Sequence, residues 1–146
     1  MCRMPHIQFT INGQFENVAL VGRAINTICT SVCSSATAYQ IELATVEVCN
    51  NIVEHAYRSH EGLIEIDLTL QETLLELKFS DAGLAMERDL LTKPALEFNP
   101  DDLENVPEGG MGLYLIDTIM DSSSYSRIEN TNVLVLTKQL NVRQEA

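Results

Sequence analysis

Polar and apolar residues alternate from His6 to Ile11, the period-two pattern of a strand with one buried face, and Asn12-Gly13 supplies a turn to end it. The period then changes. Val18, Val21, Ile25, Ile28 and Val32 recur at three- to four-residue intervals, which predicts a helix from Gln14 to about Ser34, where Ser34-Ser35 breaks the pattern. A second helix is predicted from about Thr37 to Ser59. Its apolar stripe is Ile41, Ala44, Val48, Ile52 and Ala56, widened by Leu43, Val46, Cys49, Val53 and Tyr57. A helix this apolar on most sides is expected to be buried.

Period two returns after Glu61-Gly62. Ile64, Ile66, Leu68 and Leu70 alternate with Glu65, Asp67 and Thr69; beyond Gln71-Glu72-Thr73, Leu75, Leu77 and Phe79 alternate with Glu76 and Lys78. This is an antiparallel hairpin with one buried face. Residues 82–110 have no strong period and contain Pro94, Pro100, Pro107, Gly83, Gly109 and Gly110, with a short helix expected near Met86 to Leu91. Loops of this length inside a compact domain are functional or disordered. A helix from Met111 to about Met120 and two strands, about Ser124 to Ile128 and Asn132 to Leu140, complete the pattern. Strand, two helices, hairpin, long loop, helix, hairpin is an α+β order: an antiparallel-rich sheet with helices gathered on one face. It lacks the βα alternation of a Rossmann fold.

The chain has 146 residues, one domain's worth (1–146), with 45% apolar and 21% charged residues. Its formal net charge of −12 repels phosphate backbones and anionic lipid, so no direct nucleic-acid or membrane partner is expected. No apolar run approaches the roughly 20 residues of a membrane helix, and the start Met1-Cys-Arg-Met-Pro-His lacks a secretory core; a cytoplasmic location is expected. Cys2, Cys29, Cys33 and Cys49 form no CxxC pair and are expected as reduced thiols, mostly buried. His6, His55 and His60 have no ligand-like spacing with them, which argues against zinc. Ser122-Ser-Ser124 is expected in a solvated turn, and no Gly-x-Ser-x-Gly elbow occurs.

Three pieces carry chemistry. Glu47, Asn51 and His55, spaced by four, make a polar stripe on the second helix, either a solvated side or a site. Asp81-Ala-Gly83 follows a strand: a plain turn, or a pocket floor whose carboxylate accepts a ligand's hydrogen bond. Glu108-Gly109-Gly110-Met111-Gly112-Leu113 opens a helix: a hinge, or an anion cradle in which backbone N–H groups do the work of basic side chains.

In that order the three resemble the Bergerat (GHKL) ATP site. Glu47-Val-Cys-Asn-Asn-Ile-Val-Glu-His-Ala-Tyr57, Asp81-Ala-Gly83 and Gly110-Met-Gly-Leu-Tyr-Leu-Ile-Asp-Thr-Ile-Met-Asp121 resemble the anti-sigma-factor serine/threonine kinases of bacterial partner-switching systems, over residues 8 to 140. The resemblance implies a two-layer α/β sandwich of the histidine-kinase-like ATPase type, with a mixed, mostly antiparallel sheet. It implies ATP and Mg²⁺ as cofactors. Glu47 would be the general base and Asn51 the Mg²⁺ ligand. Asp81 would accept from the adenine amino group, with Gly83 letting the base approach. His55 and Ala85 would flank the nucleotide, and Gly109, Gly110, Met111, Gly112 and Leu113 would form a lid over the phosphates. The implied substrate is a serine or threonine on a STAS-domain anti-anti-sigma-type protein; a sigma factor or other regulatory target and a homodimer are the further partners.

The chain departs from that pattern in two places. Glu108 stands where close members carry a lid arginine, no Arg or Lys occurs between Lys93 and Arg127, and Ala85 replaces a usual glycine. The first departure keeps a second function in view: a nucleotide-gated adaptor that binds ATP and a STAS partner without phosphorylating it. A detached histidine-kinase catalytic domain is a third, without a phospho-accepting histidine in view.

Overall fold

The computed structural model describes residues 5–86 and 111–140. In chain order these form β1 (His6–Asn12), α1 (Phe15–Cys29), α2 (Ser35–Asn51), a π-turn (Ile52–Ala56), β2 (Leu63–Gln71), β3 (Leu74–Asp81), α3 (Met111–Ile119), β4 (Ser122–Ile128) and β5 (Thr131–Gln139). The expected short helix near Met86 to Leu91 lies outside the described residues beyond Met86.

The first helix ends five residues earlier than its apolar spacing predicts. Thr30 Oγ1 donates to the Thr27 carbonyl at 2.7 Å and Ser31 Oγ to the Ile28 carbonyl at 2.6 Å. Such local side-chain bonds offer the backbone an alternative to the helix ladder. Ser34 then caps α2: its backbone is extended and its Oγ accepts from the Thr37 N–H at 3.1 Å. The apolar stripe runs on through α2 as expected, but the ladder widens at Ile52. Tyr57 N–H donates to Ile52 O and Ser59 N–H to Val53 O, both at 2.9 Å. Arg58 and Ser59 follow in the left-handed region, with φ of 50° and 64°, and terminate the helix.

The strands form one five-stranded sheet in the order β1-β2-β3-β5-β4, and all four pairings are antiparallel. Register places inner-face residues in rows across the sheet. One row is Ile7, Leu68, Leu77, Leu136 and Ser123; the next is Phe9, Ile66, Phe79, Leu134 and Tyr125; the last is Ile11, Ile64, Asp81, Asn132 and Arg127. Leu68, Leu77, Leu136, Phe9, Ile66, Phe79, Leu134, Ile11 and Ile64 pack in one cluster with Val18, Ile25, Ile41, Ala44, Val48, Ile52 and Ile116, so all three helices cover the same face. Burying each of the Val, Leu, Ile and Phe side chains among them stabilises by roughly 1.5–3 kcal/mol. The other face carries the alternate residues, Glu65, Asp67, Glu76 and Lys78 among them. Lys138 Nζ donates to the Ile119 carbonyl at 2.6 Å and so closes the C-terminus of α3. Ser122–Ser124, expected in a turn, begin β4: their backbone pairs with Val135–Thr137 because β5 extends far enough to hold them.

Tyr57 ties the end of the π-turn to the sheet. Its hydroxyl donates to the Leu63 carbonyl at 2.5 Å and accepts from the Ala82 N–H at 2.9 Å. Its ring lies flat on Gly62, where a Cβ would fall 2.2 Å from Cε1. Gly62→Ala therefore displaces the ring and both hydroxyl bonds, an expected loss of about 2–3 kcal/mol. Ser34→Ala, which removes only a cap, should cost about 1 kcal/mol. Urea titration checks both: the Gly62 variant should show much the larger drop in midpoint.

Candidate nucleotide-binding site

The apolar rows of the sheet give way to polar side chains at one end. Asp81, the last residue of β3, is 6% exposed, and its register partner Asn132 on β5 is 3% exposed. Asn132 Nδ2 donates to Asp81 Oδ1 at 2.8 Å, and the Gly83 N–H donates to the same oxygen at 2.9 Å. Next in the row, Arg127 Nη1 donates to Asn132 Oδ1 at 2.7 Å and to the Gly83 carbonyl at 3.0 Å. Burial raises the Asp81 carboxyl above its ordinary range; the bonds from Asn132 and Gly83 and the Arg127 charge pull back down.

Residues 82–86 are strapped down around this carboxylate. Leu84 N–H donates to Ala56 O at 2.8 Å, so the π-turn offers its last carbonyl to the loop. Gly83 sits against that same peptide: a Cβ would lie 2.6 Å from Ala56 C and O. Asn132 Nδ2 also reaches the Leu84 carbonyl at 2.8 Å, and Met86 N–H donates to Tyr125 Oη at 3.0 Å. Tyr125 Oη in turn donates to Asn132 Oδ1 at 2.7 Å.

Between this loop and the helices lies a pocket enclosing about 390 Å³ of empty space, its open mouth included. Val48, Ile52, Phe79, Met86, Ile116 and Leu134 give it apolar walls; Asn51, Asp81, Tyr125 and Asn132 are its polar lining among the described residues. Apolar walls with the buried Asp81 acceptor suit a heteroaromatic ring that carries an amino donor.

Of the residues singled out in the sequence, Asn51 and Asp81 meet at this pocket, and Gly83 flanks it. Glu47 stands one turn before Asn51 on α2, half-buried, with its carboxyl raised by burial and then by the neighbouring Glu54. His55 is not brought to the pocket lining. It falls inside the π-turn, where more residues per turn carry it off the Glu47–Asn51 line. Its side chain is exposed, with Nε2 3.7 Å from Glu54 Oε2. Ala85 is exposed on the strapped loop. Met111, Gly112 and Leu113 form the first turn of α3. Gly109, Gly110, Glu108 and Lys93 lie outside the described residues. Asn132, Arg127 and Tyr125 were not read from the sequence as site residues, and Tyr57 was read only as part of the helical stripe and of the motif that ends in His55-Ala-Tyr57. Only the pairing register reveals Asn132 and Arg127, since it sets Asn132 opposite Asp81 and Arg127 opposite Asn132; Tyr125, opposite Leu134 in the adjoining row, is revealed by its hydroxyl bonds to Asn132 and Met86. Cys29, Cys33 and Cys49 are free and buried, and burial pushes the Cys29 and Cys49 thiols up to about 12, far from a reactive thiolate. Among the described residues no group of three His, Cys, Asp or Glu side chains could share a metal ion, and no helix is long and apolar enough to cross a membrane.

The electrostatics predict a stability effect with a definite sign. A carboxyl whose folded pKa is raised binds its proton more tightly when folded, so its ionisation at neutral pH opposes folding. Asp81→Asn keeps an acceptor for Gly83 and Asn132 but carries no charge. It should raise the melting temperature at pH 7, and the gain should vanish below about pH 4, where Asp81 is protonated in both states. Melting curves across that range check it; a gain that persists in acid would assign it to another cause.

Comparison with known proteins agrees with this geometry. Residues 11–138 match the histidine kinase-like ATPase domain model. Proteins named serine-protein kinase RsbW from Bacillus thuringiensis (strain Al Hakam), Bacillus cereus (strain 03BB102) and Bacillus anthracis (strain CDC 684 / NRRL 3495) are each 31% identical over 149 residues, covering 99% of this chain and 91% of theirs. With an ATPase-domain match across almost its whole length and kinases as its relatives, the chain belongs to the histidine kinase-like ATPase domain family.

Proposed function

We propose that the protein is an ATP-dependent protein-serine/threonine kinase of an anti-sigma type, acting on a STAS-domain antagonist in a partner-switching pathway. The observation that carries this reading is the buried Asp81 carboxylate on the floor of an apolar slot, with Asn51 on its wall. Both bonds to Asp81 from Asn132 and Gly83 go to Oδ1, so Oδ2 is the oxygen that receives the adenine amino group. Val48, Ile52, Ile116 and Leu134 hold the ring and exclude water. Asn51 offers a hard amide oxygen at the mouth. Mg²⁺ fits such a site, since it keeps most of its waters and takes one or two protein oxygens together with phosphates. When bound, it neutralises phosphate charge. The glycines Gly109, Gly110 and Gly112 supply backbone N–H groups to the phosphates, and Met111 and Leu113 seat the lid.

Glu47 takes the proton from the attacking serine or threonine hydroxyl. Burial and the nearby Glu54 carboxylate raise its basicity above that of a free carboxylate, which suits a general base. Transfer otherwise needs positioning and charge neutralisation more than covalent help from the protein. The kinase works as a homodimer and also binds a sigma factor or another regulatory target. Serine-protein kinase relatives at 31% identity support the reaction class.

One sequence observation favours a second reading, the ATP-gated adaptor. Glu108 occupies the place of a lid arginine, and Arg127, the next basic residue, is committed to Asn132 and Gly83 at the base end. Intact mass of candidate STAS proteins after incubation with this protein, ATP and Mg²⁺ separates the two. The kinase adds one phosphate, and Glu47→Gln should lower transfer by at least about a hundredfold while leaving ATP affinity within about threefold. Unmodified STAS protein held in a tight ATP-dependent complex would establish the adaptor. Asp81→Asn should abolish ATP binding under either reading, because its amide presents a donor to the adenine amino donor.

A further inference from the structure

Among the described residues, Asn132 is the most heavily bonded side chain at the pocket, and no ligand is needed to explain any of its bonds. An asparagine amide has two N–H donors and two acceptor lone pairs. Here Nδ2 donates to Asp81 Oδ1 and to the Leu84 carbonyl, both at 2.8 Å, and leans toward Gly83 O at 3.4 Å. Oδ1 accepts from Arg127 Nη1 and from Tyr125 Oη, both at 2.7 Å. All four capacities are used inside the protein, so Asn132 lines the pocket with nothing left to offer a nucleotide directly.

We propose that Asn132 is a positioning residue for nucleotide recognition, turning the Asp81 carboxylate so that Oδ2 faces the base, with Arg127 and Tyr125 holding the Asn132 amide in that sense. The inference rests on Asp81 receiving the amino group of the base. It adds that the selectivity of the pocket for that group is set behind the carboxylate, by Asn132 on β5 and its clamp of Arg127 and Tyr125 on β4.

Three features support it. An amide that bonds equally well after a half-turn about its own axis would specify nothing; the flipped Asn132 would set Nδ2 against the Arg127 N–H and Oδ1 against the Asp81 carboxylate and the Leu84 carbonyl. The same clamp fixes the loop: Arg127 reaches Gly83 O at 3.0 Å, and Tyr125 Oη accepts from Met86 N–H at 3.0 Å. Finally, the arrangement is built from backbone register, since Asp81 pairs with Asn132 and Asn132 with Arg127 on adjacent strands. Strands hold such distances more tightly than loops do.

The test compares ATP with purine riboside triphosphate, the same nucleotide without the exocyclic amino group, by calorimetric or fluorescence titration. The ratio of the two affinities isolates the amino-group interaction from the phosphates and the ring. The wild-type protein should favour ATP by about tenfold, the worth of one well-made hydrogen bond to a charged acceptor. Asn132→Ala should bring that ratio close to one, through lost ATP affinity and with little change for purine riboside triphosphate. Tyr125→Phe and Arg127→Met leave Asn132 in place but loosen it, and should each lower the ratio by about threefold. They decide the matter if Asn132→Ala fails to fold. Equal weakening of both nucleotides, the mark of a merely structural role, would overturn the proposal, as would an unchanged ratio in both clamp variants. Asp81→Ala distinguishes the underlying reading: if it retains the wild-type ratio, Asp81 is not the base acceptor. If it loses the ratio while Asn132→Ala keeps it, only the positioning role fails.

Discussion

A carboxylate held out of water is the constraint on which this end of the molecule depends. Asp81 closes β3 at 6% exposure, in a row whose next members toward β2 and β1 are isoleucines. An isolated buried charge is costly, and proteins retain one only where partners compensate it. Here the partners are strand neighbours. Asn132 and Arg127 follow Asp81 across the sheet in one register row, so the pairing that builds the sheet also supplies the donors. A slip of one residue between β3 and β5 would send Asn132 to the outer face and leave Asp81 among hydrocarbons.

The helical layer answers the same constraint from above. An uninterrupted α-helix through Ala56 would direct that residue's carbonyl along the helix axis to a later N–H. The π-turn ends the ladder instead, and Ala56 O receives Leu84 N–H. Small residues are required on both sides of that contact: Ala56 because Gly83 presses on it, and Gly83 because any Cβ would enter the Ala56 peptide. Tyr57 follows at once, joining Leu63 and Ala82 through one hydroxyl. The motif read in the sequence as His-Ala-Tyr thus serves in its second and third residues as the fastening between helix and loop, while His55 points to solvent.

Much of this was legible beforehand, and the parts that were not share a cause. Period-two and period-three-to-four patterns located the helices and the strands that turn a face to the core, because hydrophobicity records burial directly; β4, exposed except at half-buried Tyr125, carries the weakest such signal. The Asp81-Ala-Gly83 and Glu47/Asn51 pieces stood out because polar residues and glycine interrupt apolar runs. Helix ends at Cys29 and Asn51 were misplaced because apolar spacing continues to Val32 and through Ile52 and Ala56 after the hydrogen-bond pattern has changed. Asn132, Arg127 and Tyr125 escaped notice for a different reason. Each is an unremarkable polar residue in a closing hairpin, and its role comes from partners 39 to 51 positions away. Alternation shows which face a strand residue takes; it does not show what stands beside it.

The distribution of polar groups along the pocket has a consequence for an acidic protein that binds a polyanion. With a net charge of −12, the chain gains nothing from general attraction to a nucleotide. In the proposed reading, recognition begins at the uncharged end of the ligand, where apolar walls and one oriented acceptor act without electrostatic help. Preorganisation matters there because each group that must be ordered on binding subtracts from affinity. A carboxylate already turned, on a loop already fastened to a π-turn and two strands, has little left to order. The phosphates are then left to backbone N–H groups and to a metal ion, neither of which requires a basic side chain. On that reading an acidic surface and a nucleotide site are compatible because the base is recognised by apolar walls and the oriented Asp81 carboxylate, and the phosphate charge is met by backbone N–H groups and the ligand's own cation.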